Sequence, residues 1–169
     1  RTSFFPAKKM LQVGNPIRKE ILVGSKEGAQ QLLHLQGGKP VILFMGGSQG
    51  AQRINDMLLV VLDDMLKDFE IIHQAGDKNF SQASQEAKVV VSKEHSPYYH
   101  AVPFFKEQEL RHVYAATDFI VSRAGSGSIF EIAALGKPSI LIPLPEAAQK
   151  HQIQNAYEYA NTGAAIVLE

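Results

Sequence analysis

The sequence predicts an α/β domain built on a doubly wound parallel sheet, and three observations carry that reading. Short apolar runs alternate with amphipathic stretches along the chain. The connections between them are short and rich in Gly and Pro, as in Gly37-Gly38-Lys39-Pro40 and Gly136-Lys137-Pro138. The run Val41-Ile42-Leu43-Phe44-Met45 is apolar at every position, which is how a strand buried between two helical layers reads. Parallel neighbours need crossover connections, and helices on both faces supply them.

Taken in order, Leu11-Gln12-Val13 reads as a weak strand ended by Gly14-Asn15-Pro16, where Pro16 blocks the ladder and holds Asn15 extended. Lys26 to Leu35 reads as a helix with Leu32, Leu33 and Leu35 near one face. After the strand Val41 to Met45, a long helix is marked by Ile54, Met57, Leu58, Val61, Leu62 and Met65 at three- and four-residue spacing. Glu70 to Gln74 is the next strand and Asp77 to Ala87 a polar helix. Val89-Val90-Val91 fits either a strand or the buried end of that helix. Tyr99 to Phe105 reads as strand, Glu107 to Ala116 as helix and Asp118 to Ser122 as strand. Ser128 to Leu135 (helix), Ser139 to Ile142 (strand), Ala147 to Asn161 (helix) and Ala164 to Leu168 (strand) complete the alternation, without internal repeats.

Composition narrows the function. The 169 residues are 45% hydrophobic and 20% charged, enough for one globular domain with a real core. Seventeen basic residues balance seventeen acidic ones, so nothing in the charge favours nucleic acid or an acidic membrane. Cysteine is absent, which removes disulfides, thiolate nucleophiles and cysteine zinc sites together and fits a reducing compartment, with the cytoplasm favoured. The longest apolar runs fall far short of the ~18 residues of a membrane-spanning helix. The opening Arg1-Thr2-Ser3-Phe4-Phe5 has neither an initiator Met nor a charged-then-apolar leader, so we expect no signal peptide and a piece of something longer.

In a doubly wound sheet, ligands sit at the carboxyl ends of the strands, and the loops there carry the candidate residues. Gly46-Gly47-Ser48-Gln49-Gly50-Ala51 joins a buried strand to a long helix, so its N–H groups and the helix dipole converge on one anion-sized space. It lacks the Lys-Ser/Thr ending of an NTPase P-loop and the third glycine of a dinucleotide fingerprint; a tight strand-helix turn is the other reading. Arg123-Ala124-Gly125-Ser126-Gly127-Ser128 repeats the arrangement after a second strand. About one turn into that helix, Glu131 can accept hydrogen bonds from a vicinal diol such as ribose, or be a solvated carboxylate favoured by the dipole. Arg18, after the Asn15-Pro16 break, can reach a phosphate bidentately or lie on the surface. Gln152 and Asn155, beside His151, share a helical face and offer amides suited to sugar hydroxyls. His73, at a strand end, reads as a core or supporting residue, and the six histidines lack the paired spacing of a zinc helix. Asp63-Asp64 falls inside a helix, so the Asp-x-Asp manganese motif of many glycosyl transferases is missing and no metal site is indicated.

Together these motifs resemble one family. Gly14-Asn15-Pro16-Ile17-Arg18, the GGSQGA loop with Arg53 and Asn55, His73-Gln74-x-Gly76, Arg123-Ala124-Gly125-Ser126 with Glu131, Gly136-Lys137-Pro138 through Pro143, and His151-Gln152-x-x-Asn155-Ala156 follow in one order. From about Phe4 onward the chain is similar to the carboxyl-terminal half of the MurG family, bacterial transferases that add N-acetylglucosamine to lipid I to make lipid II in peptidoglycan synthesis. The resemblance implies residues 1–169 as a single UDP-sugar-binding Rossmann-like domain, the C-terminal half of a GT-B fold and a piece of a two-domain enzyme. It also implies UDP-N-acetylglucosamine as ligand, no metal cofactor, a lipid I acceptor reached through another domain, and a cytoplasmic enzyme peripheral on the inner face of the membrane. By the same resemblance Arg18 would contact the diphosphate, and Gly47, Ser48, Gln49 and Gly50 would line the cleft near the phosphates and the sugar. Phe105 would offer backbone groups to the uracil edge, Glu131 would hold the ribose hydroxyls, Ser126, Gly127 and Ser128 would neighbour the diphosphate, and Gln152 with His151 would read the sugar.

Two features depart from the family pattern. Lys106-Glu107-Gln108-Glu109-Leu110 follows Phe104-Phe105 where the family has an acidic residue and a nearby Met, and the glycine-rich loop whose histidine faces the acceptor has no counterpart in this chain. Turnover by the chain alone is therefore not expected. Alternatives are a subunit of a split lipid-linked transferase and a non-catalytic nucleotide-sugar-binding module.

Overall fold

A computed structural model describes residues 14–46, 52–143 and 151–169. The expected strand at Leu11 to Val13 and the GGSQG loop lie outside the described residues. A 3-10 turn at Lys19–Val23 leads into α1 (Lys26–Leu33), β1 (Val41–Met45), α2 (Gln52–Met65), β2 (Glu70–Gln74) and α3 (Phe80–Val90). After a second 3-10 turn at Ser96–Tyr98 come β3 (Tyr99–Val102), α4 (Glu107–Ala116), β4 (Phe119–Ser122), α5 (Ser126–Leu135), β5 (Ser139–Leu141), α6 (His151–Ala160) and β6 (Ala165–Val167).

The six strands form one sheet in the order β3-β2-β1-β4-β5-β6, and every pairing is parallel. This is the doubly wound order, in which the chain winds outward from the centre in both directions. The fully apolar β1 takes a central place because both of its faces must be covered. Val41, Leu43 and Met45 enter one core cluster with side chains of α1, α4 and α5, whereas Ile42 and Phe44 enter the other with those of α2 and α3. Alternation along a single strand thus feeds two hydrophobic layers.

Several boundaries differ from the sequence expectation for identifiable reasons. α1 stops at Leu33 because His34 adopts the left-handed conformation (φ 55°) and Gly37 and Gly38 follow with positive φ. α3 begins at Phe80 rather than Asp77, and it absorbs Val89 and Val90, which settles the ambiguous segment as helix. Those two valines are exposed, so they are not a buried helix end. β3 ends at Val102, and α5 begins two residues earlier than expected, at Ser126.

On the α2 side of the sheet, an apolar trough of about 430 Å³ runs between the helix and β4–β5, lined by Ile42, Phe44, Met57, Val61, Val121 and Ile140 among others. Among the described residues, α2 and α3 supply the helical side chains of that layer. No helix among them is long and apolar enough to cross a membrane.

Candidate functional site

The parallel registers put Val102, Gln74, Met45, Ser122 and Leu141 in one row at the carboxyl edge of β3, β2, β1, β4 and β5. The centre of the row is the topological switch point, where β1 leads to α2 on one side of the sheet and β4 leads to α5 on the other. α5 opens there. Its N-cap is Gly125, which has no side chain to cap the helix, so the first-turn N–H groups receive no side-chain cap from it. Ser126 and Gly127 are exposed at this end and Ser128 is half-buried. Gly47, Ser48, Gln49 and Gly50, expected to face this opening, lie outside the described residues.

Arg18 and Glu131 are brought together at the same opening. Ile21 is buried and anchors the 3-10 turn that Arg18 begins, and Gly24 presses so closely on α4 that an added Cβ would stand 1.8 Å from the Arg111 carbonyl oxygen. So held, Arg18 donates from both Nε and Nη2 to Glu131 Oε1, each at 2.7 Å. Glu107 Oε1 lies 3.8 Å from Arg18 Nε. The Tyr114 hydroxyl donates to the other carboxylate oxygen, Glu131 Oε2, at 3.1 Å. Burial of Arg18 is the largest single influence and opposes its charge, but the hydrogen bond and charge of Glu131, with Tyr114 and Glu107, together outweigh it and the guanidinium pKa moves up. Burial, reinforced by Glu131, pushes the Tyr114 phenol pKa well above its ordinary value.

The remaining candidates are distributed around this centre. Phe105 is buried, and its N–H donates to Gln74 Oε1 at 3.2 Å, which ties the segment after β3 to the end of β2. Phe104 beside it is exposed and presents an aromatic ring at the rim. His151 is exposed, and Gln152 and Asn155 are half-buried on α6. Asn155 Nδ2 donates to the Ala124 carbonyl at 3.4 Å, which ties α6 to the loop before α5.

His73 is fully buried, as expected, within a network that fixes its tautomer. Asn55 Nδ2 donates to the Ala75 carbonyl at 3.0 Å, so Asn55 Oδ1 faces His73 Nε2 as acceptor at 2.9 Å and the proton resides on Nε2. His73 Nδ1 therefore accepts from the Tyr99 hydroxyl at 2.7 Å. Burial lowers the His73 pKa to about 4, which keeps the ring neutral. The network clamps the first turn of α2 to the ends of β2 and β3. Among the described residues no group of three or more His, Asp or Glu side chains is disposed to hold a metal ion.

Residues 41–169 match the glycosyltransferase family 28 C-terminal domain. The chain belongs to this family. The family 28 domain is 38% identical over 164 residues to UDP-N-acetylglucosamine--N-acetylmuramyl-(pentapeptide) pyrophosphoryl-undecaprenol N-acetylglucosamine transferase 2 of Bacillus cereus, covering 96% of this chain and 44% of that protein. It is 42% identical over 161 residues to the corresponding transferase of Clostridium botulinum, covering 95% of this chain and 42% of the relative. The crystal structure of Acinetobacter baumannii MurG superposes with a TM-score of 0.68 at 28% identity, over 97% of this chain and 43% of that one. The family 28 domain thus spans less than half the length of the relatives it matches.

Tyr114 carries geometry at this opening that the sequence reading did not single out. Tyr114 shares the apolar face of α4 with Leu110 and Val113, which makes it look like plain core. Its hydroxyl was the available signal, because a buried tyrosine needs a partner for its O–H.

Proposed function

We propose that this chain is the donor-binding domain of an enzyme that transfers N-acetylglucosamine from UDP-N-acetylglucosamine to a pyrophosphoryl-undecaprenol-linked N-acetylmuramyl pentapeptide. The convergence of Arg18 and Glu131 at the α5 N-terminus is the observation that carries this reading. A nucleoside diphosphate sugar has two recognition handles about one pentose apart, an anionic diphosphate and a vicinal diol. The uncapped α5 amides with Arg18 suit the first, and the Glu131 carboxylate suits the second.

In this reading Ser126, Gly127, Ser128 and Arg18 receive the diphosphate, and Gly47, Ser48, Gln49 and Gly50 serve the phosphates and the sugar. Glu131 takes the ribose, the segment at Phe104 and Phe105 takes the uracil, and His151, Gln152 and Asn155 take the sugar. As an acceptor hydroxyl displaces UDP from the anomeric carbon, negative charge develops on the leaving diphosphate. The guanidinium and the helix N-terminus offset that charge, a role that does not require a metal. The acceptor, the general base and the membrane-facing surface belong to parts of the enzyme beyond this domain, so the chain alone binds donor without turnover.

Calorimetric titration of the chain with UDP-N-acetylglucosamine in metal-free buffer tests this, with UDP-glucose, GDP and NAD as comparisons. Selective uptake of the N-acetylglucosamine donor is expected. A folded chain that binds none of the four, or binds NAD best, overturns the reading.

A further inference from the structure

Glu131 has two unlike partners. Arg18 reaches Oε1 from a half-exposed position on a 3-10 turn, while the Tyr114 hydroxyl reaches Oε2 from a side chain with no exposed surface. The ring holds the hydroxyl in place, packed among α4 and β1. The hydroxyl keeps its proton because burial raises its pKa, and among the described residues its other hydrogen-bond acceptor is the weak Met45 Sδ at 3.6 Å. A protonated phenol facing a carboxylate donates to it, so Tyr114 fixes the plane of the Glu131 carboxylate from the interior. The side away from Tyr114 remains for exchangeable partners, and Arg18 now occupies it.

We propose that Tyr114 is a positioning residue for nucleotide selection: it holds the Glu131 carboxylate in the orientation that accepts both hydroxyls of a ribose, while Arg18 is the partner that yields. This rests on the ribose role of Glu131 proposed above. A cis-diol donates two O–H groups side by side, and a carboxylate accepts both only if its plane is set beforehand; a freely rotating one gives up part of the second bond to ordering cost. Tyr114 therefore acts on discrimination between ribose and deoxyribose rather than on the diphosphate.

The test titrates the chain with UDP and with 2′-deoxy-UDP, in wild type and in Tyr114→Phe. Wild type is expected to prefer UDP by about tenfold, the value of one well-made hydrogen bond to a charged group. Tyr114→Phe is expected to shrink that preference to about twofold by weakening UDP alone. Tyr114→Met, flexible enough to refill the space, removes the hydroxyl a second way should phenylalanine not be accommodated. In a Glu131→Ala background, adding Tyr114→Phe is expected to leave both affinities unchanged. An unaltered preference in a folded variant, or equal losses on both ligands, overturns the proposal and leaves Tyr114 as packing. Equal binding of the two nucleotides by wild type overturns the ribose role itself, and the proposal with it.

Discussion

Arg18 and Glu131, 113 positions apart in the chain, meet through two nitrogens on one carboxylate oxygen at 2.7 Å. Their side chains differ in exposure, 43% for Arg18 and 12% for Glu131, so the cation stands at the mouth of the site and the carboxylate inside it. The pair links the segment before α1 to the second turn of α5, and each member is a candidate for a different part of the same ligand.

Glu131→Ala should weaken UDP binding by about 1–3 kcal/mol, because it removes the acceptor for the ribose and leaves Arg18 and the Tyr114 hydroxyl without their partner. Calorimetry on a variant whose circular dichroism is native checks this. Unchanged affinity would remove Glu131 from the ribose.

Arg18→Ala should reduce affinity for UDP far more than for uridine, since only UDP carries the diphosphate. The UDP-to-uridine affinity ratio is expected to fall by about tenfold or more, in line with a charge-assisted contact of about 1.5–3 kcal/mol. A parallel loss on both ligands would move Arg18 off the phosphates.

His73 makes stability depend on pH. Its folded pKa of about 4 lies below its ordinary value of 6.5, so between those values the unfolded chain binds a proton that the folded chain refuses. Stability from this group is therefore unaffected above pH 6.5 and falls as pH drops from about 6.5 to 4, by about 3 kcal/mol in all. Asp63 acts in a different window. Its pKa is lowered to about 2 by the Ser92 N–H and by His95, so its contribution is present above pH 3.8 and is lost below it. Urea midpoints measured from pH 7 to 4 should show the first slope in wild type, and His73→Gln should flatten it.

Two glycines should respond very differently to alanine. Gly24→Ala drives a Cβ into the Arg111 backbone, where no side chain can move aside, and should cost about 2–4 kcal/mol by parting the 3-10 turn from α4. Gly136→Ala meets open space and only the strain of its φ of 62°, about 1–2 kcal/mol. Because the first loosens the turn that presents Arg18, it should also weaken UDP binding, whereas the second should shift the melting temperature alone.

The parts legible in the sequence were those written in local pattern. β1 and β2 carry their bounds in their residues, and α4 begins and ends where its periodicity does. The doubly wound class followed from alternation, and the candidate loops followed from the class. What pattern does not record is which side chains meet across long separations. Arg18 and Glu131 were each readable as ligand contacts, but nothing local to either announces the other. The bond from the Phe105 N–H to Gln74 likewise depends on β2 and the β3–α4 loop lying side by side. α3 began late because Asp77 and its neighbours form a turn after Gly76 (φ 85°), a backbone choice that polar residues alone do not specify.

The apolar trough beside α2 bears on how unfolding of this domain is watched. Anilinonaphthalene sulfonate brightens on accessible apolar surface, and its fluorescence is usually taken as the mark of loosened packing. Here a hollow of about 430 Å³ walled by isoleucine, phenylalanine and valine is present among the described residues of the folded domain. The dye should brighten on the folded domain before any denaturant is added, and the unfolding transition should appear as a loss of that signal.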